Sequence, residues 1–226
     1  MGIITIEKAN HLFWLGRYTE RVFSTIKVYQ QYYDKMIDKD PLAYEEFCRK
    51  LEIENIYQGS EDFNRSYVFG VNNPDSIISS LILAYDNAVV LREEISGETL
   101  CYIELALRVL KNSPEEAPIL ELQKVIDYLY AFWGSVDDNV ESEACRNIMK
   151  CGKYAERLDL TYRFDDTSTD IVKQTAKLRN RVKKLEQQYH LEGLKDIEML
   201  QNEKFGGRWD YLEQIYKLTG LFEVEE

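Results

Sequence analysis

The chain has 226 residues, with 28 Lys plus Arg against 40 Asp plus Glu and a formal net charge of −12, a balance that opposes broad electrostatic binding to nucleic acid or an anionic membrane. Four Pro and 11 Gly are too few for a collagenous or linker-dominated chain, and 45% hydrophobic residues are too many for a disordered one. The length suits one large domain or two small ones, enough to bury roughly 70–75% of the unfolded surface without disulfides or metal.

Met1 to Ile6 lacks a positive n-region and Ile6 stands where a myristoylation signature wants a hydroxyl, so no targeting segment is expected. No apolar run approaches the ~18–20 residues of a membrane span. Cys48, Cys101, Cys145 and Cys151 make no C-x-x-C pair and fall in periodic segments, which predicts small buried hydrophobes, reduced thiols and a cytoplasmic location.

From Ala9 to Asp38, Leu12, Leu15, Thr19, Val22, Ile26, Tyr29, Tyr33 and Met36 recur at spacings of three and four, predicting a long amphipathic helix. Asp40-Pro41 restarts the chain into a short helix from Leu42 to Leu51. Glu54 to Val71 is aperiodic and reads as a loop. Asn73-Pro74-Asp75-Ser76 opens a predicted helix from Pro74 to Lys111, the longest, with Gly97 as its weak point. Its apolar stripe includes Arg92 between Ala88 and Ile95, where a charge needs a partner or a route to the rim. Ser113-Pro114-Glu115-Glu116 is a capping box that starts the next helix, with Ile119, Leu122, Ile126, Leu129 and Phe132 on one face. Ser142 opens another to about Phe164. Thr169 to Gln188 is predicted helical with a solvated basic face of Lys173, Lys177, Arg181 and Lys184, and short helices are expected at Leu194–Glu203 and Trp209–Thr219 around Gly206-Gly207. No segment shows strand alternation. The expected fold is all-α, one domain over 1–226 with about six to eight helices, with possible half-repeats around 9–112 and 115–226.

Gly16-Arg17-Tyr18-Thr19-Glu20-Arg21 in the first helix recurs as Gly152-Lys153-Tyr154-Ala155-Glu156-Arg157, and Leu12 with Ile148, Thr25 with Thr161 and Lys27 with Arg163 extend the match in register. Glycine inside a helix costs up to ~1 kcal/mol, and its usual compensation is close approach of another backbone. If the copies pack about a pseudo-two-fold axis, the glycines meet while Glu20 faces Arg157 and Glu156 faces Arg21, giving reciprocal ion pairs that fix the crossing. The same residues could instead line a polar pocket in which guanidinium groups hold a carboxylate or phosphate.

With Trp14-Leu15-Gly16-Arg17-Tyr18 and Glu20-Arg21, then Asn87, Leu91-Arg92-Glu93-Glu94-Ile95-Ser96-Gly97-Glu98, and Gly152-Lys153-Tyr154-Ala155-Glu156-Arg157, nearly the whole chain resembles the alpha-E domain family. That bacterial, all-helical family is named for its Glu-Arg motifs, and its genes commonly neighbour or fuse with circularly permuted ATP-grasp ligases and transglutaminase-like proteins. The resemblance implies a polar cluster of Tyr18, Glu20, Arg21, Asn87, Arg92, Glu93, Glu98, Tyr154, Glu156 and Arg157, with Gly16 and Gly152 in helix packing. The chain departs from the family habit at Thr99-Leu100, where Met-Trp is expected, and at Lys153, where Arg is more usual.

His11 and His190 are the only histidines and join no metal-ligand pattern, and no phosphate-binding glycine loop occurs, so no metal site and no cofactor is evident. His11 reads as a boundary residue, and tyrosines such as Tyr29, Tyr32, Tyr33, Tyr128 and Tyr130 read as packing. The expected function is an accessory helical binding protein that works with an ATP-grasp type ligase, or a peptide, in peptide or amide-bond synthesis or modification through a central Glu/Arg site. It is expected not to be catalytic on its own and not to bind nucleic acid or membrane. The alternatives are an enzyme acting on an amide or carboxylate substrate with a motif Glu as general base, or a purely structural scaffold.

Overall fold

The computed structural model describes residues 4–113, 118–164 and 170–185. Among these residues the chain forms nine helices and no strand, an all-α fold. Helix α1 (Ile6–Asp38) is the spine, capped by Thr5, whose hydroxyl accepts from Lys8 N at 3.3 Å. Its buried set includes most of the predicted stripe, but also Phe13, Gly16, Glu20 and Phe23. The helix is therefore covered on more than one side, chiefly by α4 (Ile77–Val90) and α8 (Glu143–Arg163).

Two corrections follow from packing. The expected loop at 54–71 contains α3 (Ser60–Phe69), which follows α2 (Ala43–Leu51). Its helicity comes from tertiary contact more than local period: Phe63 and Tyr67, one turn apart, bury themselves among Tyr29, Phe47 and each other at ring distances of 5.1–6.3 Å. The expected single helix from Pro74 to Lys111 is three: α4, the single turn α5 (Arg92–Ile95) and α6 (Gly97–Asn112). The break centres on Ser96, which adopts φ 72° and ψ 153°, a costly conformation for a residue with a side chain. Its hydroxyl accepts from Thr99 N and so caps α6, which offsets part of that cost. The buried stripe runs through Leu81, Ala84, Ala88, Leu91, Ile95 and Thr99 at spacings of three and four, so Arg92, one residue past Leu91, falls off it and is exposed.

Helix α7 (Pro118–Asn139) packs along α6 and buries Leu122, Ile126, Leu129 and Phe132 as expected, while Ile119 is half-buried. Pro114 to Glu116 of the expected capping box lie outside the described residues. Ser142 caps α8 through Cys145 N. Helix α9 (Asp170–Leu185) lies on α8 with Leu178, Val182 and Leu185 buried. Only part of its basic face is solvated: Lys173 and Lys184 are exposed, but Lys177 lies over the Tyr154 ring and Arg181 donates to Asn147 Oδ1 at 2.9 Å. The expected helices at Leu194–Glu203 and Trp209–Thr219, and His190, lie outside the described residues. Cys48, Cys145 and Cys151 are buried as expected, whereas Cys101 is exposed on the outer side of α6. Among the described residues no helix is long and apolar enough to cross a membrane.

Candidate functional site

The seam between α1 and α8 is set by two glycines. A Cβ on Gly16 would stand 2.0 Å from the Met149 carbonyl oxygen, and one on Gly152 would stand 2.0 Å from that of Phe13. Both contacts are with backbone, so only glycine permits this approach, and their reciprocity places the repeated units about a local pseudo-two-fold axis.

One turn further along, each helix offers a carboxylate to the other's arginine. Glu20 accepts from Arg157 through Nε at 2.7 Å and Nη2 at 3.0 Å, and from the Ser24 hydroxyl at 2.7 Å. Glu156 accepts from Arg21 Nε at 2.5 Å and from Arg17 Nε at 2.6 Å, with Arg21 Nη2 at 3.3 Å. Both carboxylates are buried, as is Arg17, while the side chains of Arg21 and Arg157 are 38% and 27% exposed. Tyr18 lies against Arg21, its ring centroid 5.8 Å from the guanidinium carbon, and Arg17 lies over Trp14 at 5.2 Å.

Burial by itself would raise the Glu156 carboxyl, but the charges and hydrogen bonds of Arg17 and Arg21 outweigh it and hold the group at about 2. The Arg21 guanidinium is raised in turn, chiefly by Glu156. Asp159 is pushed the other way, up from the ordinary aspartate value, first by burial and then by the Glu156 charge beside it.

The network continues on the Glu156 side. Arg17 Nη2 reaches Asp159 Oδ2 at 3.4 Å, and Asp159 Oδ1 accepts from Arg163 Nε at 2.7 Å. Arg163 Nη1 donates to the Leu51 carbonyl at 3.0 Å and to Glu52 at 2.7 Å. Glu52 ends α2 in the left-handed conformation, φ 60° and ψ 37°, and its placement on Arg163 ties α2 to the seam. A cleft of about 240 Å3 opens beside this network, lined by Arg21, Thr25, Glu52, Tyr67, Asp75, Ser80, Asp159 and Arg163 among others.

The sequence-derived set is thus divided. Tyr18, Glu20, Arg21, Glu156 and Arg157 meet at the seam, and Tyr154 stands half-buried beneath Lys177. Arg92, Glu93 and Glu98 do not join them: all three are exposed around the α4–α6 break and none lines the cleft. Asn87 is half-buried and holds His11 instead, Oδ1 to Nδ1 at 2.9 Å. Sequence reasoning missed Arg17, Asp159 and Arg163 as site residues, although Glu156, Asp159 and Arg163 share one face of α8 by their spacing of three and four. Glu52 and Asp75 come from turns before and after α3, and nothing local in the sequence brings them here. Among the described residues no group of three or more His, Cys, Asp or Glu side chains could hold a metal ion.

A family model described as a predicted alpha-helical domain with a conserved ER motif, Alpha-E, matches residues 7–201. The chain belongs to the Alpha-E family. The Glu-Arg pairs at positions 20–21 and 156–157 sit within the matched span, and their side chains pair between helices rather than within one motif. No curated protein and no solved structure matches the chain.

Proposed function

We propose that this Alpha-E protein is a cytoplasmic, accessory helical binding module that works with an ATP-grasp type ligase in peptide or amide-bond synthesis or modification, and that it is not catalytic alone. The observation that favours binding over catalysis is the state of Glu156. Its two oxygens are taken by Arg17 and Arg21, and its carboxyl is held at about 2, so it is a poor general base at neutral pH. Glu20 is likewise committed to Arg157 and Ser24. The clamps leave a polar cleft with spare hydrogen-bonding groups at its edge, which suits recognition of a small polar group or chain end.

The test is to combine the purified protein with the ATP-grasp ligase of the same genome and to measure complex formation by sedimentation and ATP-dependent amide ligation with and without it. The reading expects a defined complex, a change in ligation rate or substrate choice, and no turnover by this protein alone. Absence of both complex and effect on ligation would sink it.

A further inference from the structure

The cleft beside the Glu156 clamp holds more polar capacity than the protein itself uses. Thr25, Tyr67 and Ser80 line it and are 4%, 2% and 6% exposed, yet their hydroxyls have no hydrogen-bond partner among the described residues. Tyr67 lines the cleft together with Arg21 and Asp75, groups of opposite charge. Arg21 and Arg163 each use two of their three nitrogens in the clamp, leaving Nη1 of Arg21 and Nη2 of Arg163 without a partner among the described residues. These hydroxyls and guanidinium nitrogens open into the cleft without a protein partner, so a bound acceptor can take the place of the water they otherwise meet.

The charge balance points the other way. Four carboxylates line the cleft, Glu52, Asp75, Glu156 and Asp159, against Arg21 and Arg163 in the lining and Arg17 behind it, an excess of one negative charge. Asp75 is the uncommitted member: it is exposed, its backbone N–H is held by Asn73, and its carboxylate, with no partner among the described residues, is open to a ligand's ammonium. A simple anion would meet the spare donors and leave the excess charge uncompensated, and a simple cation would do the reverse. An occupant that satisfies both must carry an acceptor and a positive charge together. At about 240 Å3 the cleft is smaller than the roughly 300–1,000 Å3 of pockets for drug-sized ligands, so that occupant is small. Val22, Ile53, Ile77 and Leu160 give it an apolar wall.

We propose that this cleft binds a small zwitterion of the α-amino-acid class, free or as a chain end, with its carboxylate on Arg21, Arg163 and the three hydroxyls and its ammonium on Asp75. This deepens the reading of the protein as a binding module and rests on it.

Thermal shift of the full chain with each proteinogenic L-amino acid at millimolar concentration finds the preferred one. Calorimetric titration then compares it with its analogues lacking the amine or the carboxylate; for leucine these are 4-methylpentanoate and isoamylamine. The expected result is saturable binding, at least about ten-fold weaker for either analogue, and about ten-fold weaker in Asp75→Asn. Asp75 takes no part in the clamp, so the free variant should melt as the wild type does. Ser80→Ala, which leaves every charge in place, should weaken binding by a smaller factor and serves if Asp75→Asn folds poorly. No binding by any amino acid, equal binding of a one-ended analogue, or wild-type affinity in both variants would overturn the assignment. Sedimentation of the same samples with the ATP-grasp ligase separates the two readings: a complex without amino-acid binding removes only the ligand, and amino-acid binding without a complex removes only the partner.

Discussion

On one side of the α1–α8 seam Glu156 lies between Arg17 and Arg21 and is backed by Asp159, Arg163 and Glu52; on the other, Glu20 meets Arg157 and Ser24, and the residues in the register of Asp159 and Arg163 are Phe23 and Lys27. The position matching Arg17 is Lys153, whose ammonium lies 3.9 Å from the centroid of the Trp133 ring instead of on a carboxylate. The first side carries the polar cleft. The second opens into a groove lined by Phe23, Lys27, Tyr130 and Phe164, where the Phe23 and Tyr130 rings meet edge to face at 5.0 Å. The shared glycines and Glu-Arg pairs fix how the helices cross, and the residues around each pair decide whether that side becomes a site or a packing surface. A duplicated clamp can therefore keep its architecture while one copy's surroundings take on recognition.

The largest expected effect separates the two carboxylates. Glu156→Gln strips the charge partner from buried Arg17 and from Arg21, and chemical denaturation should show a loss of about 3–5 kcal/mol. Glu20→Gln should cost less, about 1–3 kcal/mol, because Arg157 is already 27% exposed and can turn towards water. An equal loss for the two would undo the asymmetry argued above.

Gly16→Ala and Gly152→Ala come next and probe what the two sides share. Each adds a Cβ against a backbone carbonyl, so each should destabilise by about 1–3 kcal/mol and by similar amounts, read as paired shifts in denaturation midpoint.

Acid separates the sides again. The Glu156 carboxyl is held at about 2 against an ordinary 4.5, so its stabilising contribution is complete above about pH 4.5 and drains away as pH falls towards 2. The stability difference between wild type and Glu156→Gln should shrink over that range. Asp159, raised by burial and by Glu156, acts in the opposite sense in both proteins.

The smallest effect lies at the odd residue of the repeat. Burial pulls Lys153 down to about 8 from 10.5, so between those values the unfolded chain binds more protons than the folded one and folding gains stability as pH rises. Lys153→Met lacks that gain. Wild type should therefore improve relative to the variant from about pH 8 to pH 10.5, and an unchanged difference would place Lys153 in an ordinary solvated setting.

The all-α fold and the seam were legible because both rest on local pattern: helical spacing, caps such as Ser142, and a Gly-basic-Tyr-x-Glu-Arg unit written twice. The reciprocal pairing of Glu20 with Arg157 and of Glu156 with Arg21 follows from that repetition. The break at Ser96 was less legible, since Ile95 and Thr99 keep helical spacing across it and only the cap geometry interrupts the turn. Arg92 lies off the buried stripe, which passes through Leu91 instead, and Glu93 and Glu98, carried over from the family resemblance, are exposed on the same stretch. The cleft was hidden because Glu52, Tyr67 and Asp75 reach it through the α2–α4 region, whose path is set by the packing of Phe47, Phe63 and Tyr67.

The central claim is that each Glu-Arg motif pairs across the seam with the other. A double-mutant cycle on Arg21 and Glu156, set beside one on Arg21 and its sequence neighbour Glu20, tests it most directly by equilibrium denaturation. The account predicts a coupling of about 1.5–3 kcal/mol for the cross-seam pair and additivity within about 0.5 kcal/mol for the neighbours. Additive losses for Arg21 and Glu156, or strong coupling between Arg21 and Glu20 instead, would contradict it.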